Sequence, residues 1–168
     1  MSELDELYQE VIVDHFKNPR CFGSLDDSNT SANLYNPLCG DQINVCVKIE
    51  DSKIKKIAFS GKGCSISQAA ASMMCELLEG KDIETAEALF ELYQNMLKGE
   101  KREEELEKLG DLTSLSGVRK FSARIKCAML GWEAVKRALV DYKSGHYKKP
   151  NCEHCGKECN EKFNENIK

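Results

Sequence analysis

Residues 41–74, "DQINVCVKIEDSKIKKIAFSGKGCSISQAAASMM", carry two periodicities in succession, and the change from one to the other decides the fold. From Asp41 the chain alternates: Ile43, Val45, Val47 and Ile49 fall on one face, and Asn44, Cys46, Lys48 and Glu50 on the other. That is the period of a strand with one side on a core. The "DSK" at 51–53 makes a turn, and "KIKKIAFSG" reads as a second strand with Ile57 and Phe59 inward, so the pair forms an antiparallel hairpin. "GKGC" (61–64) breaks the strand, and "SISQAAASMMCELLEG" (65–80) reads as a helix ending in Gly80. Its small residues Ala69, Ala70 and Ala71 suit close packing on a sheet. "NLYN", just before Pro37, is a candidate third strand.

Working outward, residues 3–17 predict an amphipathic helix with Leu4, Leu7, Tyr8, Val11, Ile12 and His15 at helical spacing, stopped by "NP" at 18–19. His15 lies on that apolar stripe and reads as a hydrogen-bonded core or helix-end histidine. Residues 20–33 are rich in turn formers and read as a loop. Residues 82–99 predict a helix capped by Asp82, and 100–118 a charged, solvated linker or short helix. The last helix spans 124–145 with the stripe Ile125, Met129, Trp132, Val135 and Leu139. Cys127 is off that stripe, aligned with Gly131, Ala134 and Ala138; such small side chains imply close approach to another part of the fold. The whole is α+β: a small antiparallel sheet of about three strands packed against a block of helices. The expected organisation is one domain over 1–147 and a cysteine-containing tail over 148–168.

A net charge of −4 provides no electrostatic attraction to nucleic acid or to an anionic membrane. The acidic start "MSELDELYQEV" shows no secretory signal, and no apolar run nears the ~20 residues of a transmembrane helix. The expected location is cytoplasmic. Nine cysteines in such a compartment are better read as thiols or metal ligands than as a disulfide framework.

Those cysteines sort by position. Cys21 lies in a loop without an obvious partner, while Cys46 (mid-strand) and Cys75 (mid-helix) read as small packing residues. Cys39, Cys64 and Cys127 each fall at the edge of a predicted element, where side chains can converge. Cys64 sits at a helix start and Cys127 follows "RIK"; helix N-termini and nearby cations both favour the thiolate. In "NPLCGD" (36–41), Cys39 and Asp41 flank one glycine and leave an extended chain on the same face. Three thiolates and the Asp41 carboxylate would make the four ligands of a tetrahedral zinc site. Spacing alone leaves three unrelated thiols equally open.

"LYQEVIVDHFKNPR", "NPLCGDQI", "GKGCSISQAAASMM" and "VRKFSARIKCAMLGWEAVKRAL" together resemble the iron–sulfur assembly proteins of the IscU/SufU (NifU N-terminal-like) family, over about residues 5–142. Within it the chain looks SufU-like. Lys126 stands where IscU-type scaffolds place a histidine before the third cysteine, "KFSARIK" lacks their proline-rich stretch, and 99–118 matches a SufU-type insertion. The resemblance implies a zinc-bound sulfur acceptor with the ligands Cys39, Asp41, Cys64 and Cys127. Its partner would be a SufS-like cysteine desulfurase, whose docking exchanges one zinc ligand and frees Cys39 to take the persulfide sulfur. The alternative is a scaffold building a [2Fe–2S] cluster (or holding iron) on the same ligands for transfer to iron–sulfur apoproteins or downstream assembly proteins. A purely structural zinc in an adaptor is a third reading. The tail motif "CEHCGKEC" lies outside the resemblance: Cys152, Cys155 and Cys159 with His146 or His154 would suffice for a second metal, while the Asn/Glu/Lys-rich end favours a disordered polar tail with exposed thiols.

Overall fold

The alternation beginning at Asp41 is the central strand of an antiparallel sheet ordered β1-β2-β3, with β1 at Thr30–Asn36, β2 at Asp41–Glu50 and β3 at Lys53–Lys62. This computed structural model describes residues 3–100 and 103–145, with side chains over 6–100 and 105–145; the tail motif of 146–168 lies outside the described residues. Val45 faces Phe59 and Val47 faces Ile57 across β2 and β3, so one side of the sheet is a continuous apolar surface. The third strand is longer than "NLYN". It begins at Thr30, inside the stretch expected to be loop, because Thr30 is buried and its hydroxyl donates to the Ala138 carbonyl at 2.7 Å. Earlier in that stretch the chain also meets the outer edge of β3 at Phe59, whose N–H donates to the Cys21 carbonyl and whose carbonyl accepts the Gly23 N–H.

Among the described residues, five α-helices and a 3-10 segment account for the remaining packing: α1 (Glu3–Lys17), α2 (Ser65–Leu78), α3 (Ile83–Leu97), the single turn α4 (Glu103–Leu106), which leads into the 3-10 residues Glu107–Lys120, and α5 (Ser122–Lys143). Helix α3 starts where its cap was expected, with the Thr85 N–H donating to the Asp82 carboxylate at 2.6 Å. Helix α5 packs on β1 and β2, and α2 lies against β3 and α5. The small-residue column of α5 serves as read. A Cβ on Gly131 would sit 3.2 Å from the Ala71 Cβ, so the two helices meet almost backbone to backbone. Trp132 stacks on Tyr93 at 5.3 Å, and the Tyr93 hydroxyl donates to the Ala128 carbonyl.

Residues 100–118 depart from expectation. Leu109, Leu112 and Leu115 are buried in the core, together with Val118, between α1, α2, α3 and α5. With Leu106 these residues recur every third position, which aligns them on one side of a 3-10 spiral of three residues per turn. A period of three matches neither the α-helical nor the strand template, and the charges between the leucines occupy the solvent side. Gly110, at φ 55° and ψ −127°, breaks the segment into two stretches.

His15 is the core histidine the stripe implied. Its Nδ1 lies 2.8 Å from the Ser72 Oγ, which also accepts the Arg20 N–H, and its Nε2 lies 3.0 Å from the Asp111 Oδ2. An ionised carboxylate only accepts, so Nε2 carries the proton. The Ser72 hydroxyl is fully buried, which makes this serine, histidine and aspartate a clamp between α1, α2 and the 3-10 segment. The outer face of β2 and β3 also departs from simple alternation: Cys46 and Ala58, paired across the strands, are buried there. Both are short side chains, and the Asn44 Nδ2 lies 3.7 Å from the Cys46 sulfur. Among the described residues no helix is long and apolar enough to cross a membrane.

Candidate metal centre

The turn between β1 and β2 places the first two groups. Asn36 pairs with Asp41, leaving Pro37, Leu38, Cys39 and Gly40 to reverse the chain. The Asn36 side chain accepts the Leu38 N–H, its carbonyl accepts the Gly40 N–H, and Gly40 takes φ 68°, a conformation that disfavours any residue with a Cβ. Cys39 is thereby held at the tip, exposed to solvent, while Asp41 begins β2 fully buried.

Asp41 is held at the start of α2. Cys64 is the N-cap of that helix, and its N–H donates to the Asp41 Oδ1 at 2.8 Å. The carboxylate therefore caps the helix from a different strand, where the unpaired N–H groups and the helix dipole favour a negative charge. Gly63 makes room for this: a Cβ there would lie 2.4 Å from the Asp41 Oδ1 and 2.6 Å from the Ser67 Oγ. The second carboxylate oxygen stays available, 3.9 Å from the Cys64 Sγ. The Ser67 hydroxyl donates to the Cys64 carbonyl and lies 3.8 Å from its sulfur.

Cys127 arrives from α5, buried, with its Sγ 3.1 Å from the Cys39 Sγ and 3.8 Å from the Asn36 Nδ2. Ligand atoms of Cys39, Asp41 and Cys127 all lie within 4.8 Å of one another. Cys64 stands outside that group of three and touches it through Asp41. Residues from the β1–β2 turn, the head of α2 and the head of α5 thus converge, despite separations of 23 and 88 residues along the chain.

The electrostatics of the cluster call for a cation. Burial first, then hydrogen bonding to Asp41 and to Cys39, holds the Cys127 thiol well above its ordinary range. A buried thiol beside a carboxylate resists ionising until positive charge arrives. Arg124 supplies some: its guanidinium faces Cys64 first and Cys127 second, and those sulfurs raise its own proton affinity. Three soft sulfur donors with one oriented carboxylate oxygen match the donor set of zinc, which takes four ligands from Cys, His and carboxylate side chains. The remaining described cysteines behave as packing groups. Cys46 and Cys75 are buried, and burial raises Cys75 well above and Cys21 somewhat above the ordinary thiol range. Asn36 and Ser67, which line the sulfurs, were not singled out from sequence. The Asn-Pro step and the spacing of Ser67 three residues after Cys64 are their only traces there.

Residues 7–149 match the family described as the NifU-like N-terminal domain. The chain is 43% identical over 145 residues to the zinc-dependent sulfurtransferase SufU of Bacillus subtilis (strain 168), covering 86% of this chain and 97% of that one. It is also 43% identical over 139 residues to the iron–sulfur cluster assembly scaffold protein IscU of Streptococcus pyogenes serotype M1, covering 83% and 86%. In fold it is similar to the crystal structure of a nitrogen-fixing NifU-like protein (N-terminal) from Brucella abortus, with a TM-score of 0.76 at 24% identity, covering 85% of this chain and 99% of that one.

Proposed function

This chain belongs to the NifU-like N-terminal domain family of iron–sulfur cluster assembly proteins, and from that premise we propose that it is a zinc-dependent sulfur acceptor whose acceptor thiol is Cys39. The ligands are Cys39, Asp41, Cys64 and Cys127, and the donor is the persulfide of a cysteine desulfurase. Bound zinc would supply the positive charge that keeps the buried Cys127 thiol ionised beside Asp41. One observation carries the reading: of the three clustered groups, Cys39 alone is solvent-exposed, on a turn, while Asp41 and Cys127 are buried behind it. A thiol so placed can belong to a metal cluster and still meet a sulfur from another protein.

The chemistry is a thiol exchange. The Cys39 thiolate attacks the outer sulfur of the donor persulfide, the bond between that sulfur and the desulfurase cysteine breaks, and the desulfurase leaves as a thiolate. Cys39 then carries the persulfide. Gly40 lets the turn adjust, and Asp41, tied by its Oδ1 to the head of α2, stays behind with Cys127. Leu38, exposed beside Cys39 in the turn, offers apolar surface next to the sulfur.

Cys39→Ser should abolish sulfur acceptance from a desulfurase while the chain still folds. Persulfide transfer at the wild-type rate in that variant would refute the assignment. The similarity to an IscU scaffold favours a second reading, in which the same donors carry a [2Fe–2S] cluster. Colour separates the two: protein purified without oxygen is brown with a cluster and colourless with zinc.

A further inference from the structure

The contact between Cys39 and Cys127 is shorter than metal binding requires. Two thiolates on one tetrahedral zinc, each about 2.3 Å from the ion, sit about 3.8 Å apart; here the two sulfurs are 3.1 Å apart. That is already part of the way to the ~2.05 Å of a disulfide bond. The pair is also asymmetric. Cys39 is open to solvent and Cys127 is buried directly behind it. An accessible thiol with a second thiol poised against it is the arrangement of a peroxide-reactive dithiol. Cys64, the third thiol, is not within the 4.8 Å group and so is not the near partner.

We propose that Cys39 and Cys127 form a hydroperoxide-reactive pair that closes to a reversible disulfide. The thiolate sulfur of Cys39 attacks the nearer peroxide oxygen, the O–O bond breaks, and the departing hydroxide takes a proton as water. Cys39 is then a sulfenic acid. The Cys127 sulfur attacks it, the S–O bond breaks, the Cys127 proton leaves with the hydroxide as a second water, and the S–S bond forms. Both sulfurs lose one electron each, and the peroxide takes the two. The exposed thiol is thereby spared over-oxidation to the sulfinic acid, which is not reversed by thiols. One bond removes two of the four proposed ligands together with the acceptor thiol, so sulfur acceptance stops until a dithiol reductant reopens it. That consequence rests on the function proposed above; the disulfide itself stands on the geometry alone.

The test uses the full chain with one equivalent of hydrogen peroxide, read by peptide mapping and intact mass. The metal-free protein should become about 2 Da lighter, with Cys39 cross-linked to Cys127 and the change undone by a dithiol. Cys64→Ser should form the same cross-link. Cys127→Ser should leave Cys39 to progress to the sulfinic acid, and a cysteine blocking assay on Cys46 and Cys75 in the same sample confirms that the variant is folded. Cys39 found as sulfinic acid in the wild-type protein, joined to Cys64 or to a tail cysteine, or unmodified, overturns the proposal. In zinc-loaded protein, the cross-link should release about one zinc per chain to a chromophoric chelator. A cross-link formed with zinc retained would instead sink the ligand assignment and leave the dithiol standing.

Discussion

Gly63→Ala tests the placement of the buried carboxylate directly. The glycine has no unusual backbone angle, so the effect of an added methyl is steric. The new Cβ would sit 2.4 Å from the Asp41 Oδ1 and 2.6 Å from the Ser67 Oγ, well inside contact distance. Neither is the far end of a long, flexible side chain, so relief requires the carboxylate to swing away from the head of α2. Asp41 would then lose the 2.8 Å bond from the Cys64 N–H. A hydrogen bond to a charged group contributes about 1.5–3 kcal/mol, and overpacking in a tight site costs about 1–3 kcal/mol. The two overlap, since relieving the clash is what breaks the bond. The expected loss is therefore about 2–4 kcal/mol in urea unfolding of the metal-free chain, with the slope unchanged. If even 2 kcal/mol falls on the metal site, zinc binds roughly 30-fold more weakly by chelator competition. Gly40→Ala is the contrast. It has open space around its Cβ but φ 68°, so it should cost about 1 kcal/mol of backbone strain and leave the carboxylate in place. Wild-type stability and zinc affinity in Gly63→Ala would refute the geometry argued for Asp41.

Leu112→Ala should destabilise the chain by about 2–5 kcal/mol in urea, the range for emptying a fully buried leucine site, whereas a solvated linker would tolerate it at within about 0.5 kcal/mol. The buried Cys75 thiol has a raised folded-state value, so at alkaline pH the unfolded chain releases a proton that the folded chain keeps. Its contribution to stability is full below the unfolded thiol value of about 8.5 and is lost as pH rises through the folded one. Cys75→Ala should therefore flatten the fall in stability between about pH 8.5 and 10, and an unchanged slope in pH-dependent urea melts would contradict its burial. Removing residues 150–168 should leave about one zinc per chain bound by the folded body. A fall from two equivalents to one would assign a second metal to the tail, and loss of all zinc would move the site out of the body.

The sheet and the long helices were legible in the sequence because their periods are local. Strand β2 began and ended with its alternation, and α3 began at the aspartate that caps it. The three body cysteines were also marked by position, since each falls where an element starts or turns. What lay hidden was non-local or belonged to a rarer period. Leucines three apart along Glu107–Lys120 line a 3-10 spiral that only the surrounding helices could hold in place. The role of Gly63 as space for a carboxylate 22 residues earlier, and of Asn36 as a neighbour of the Cys127 sulfur, exist only once β1, α2 and α5 are packed.

From the chain alone come the donor types and the elements that carry them, because side-chain chemistry and hydrophobic period are written residue by residue. The tertiary structure decided which donors meet: it set Cys39 against Cys127 at 3.1 Å, joined Cys64 to that pair through Asp41, and fixed which sulfur faces solvent. Distances between residues nearly ninety positions apart depend on how helices and sheet pack against one another, and no local pattern encodes that sum.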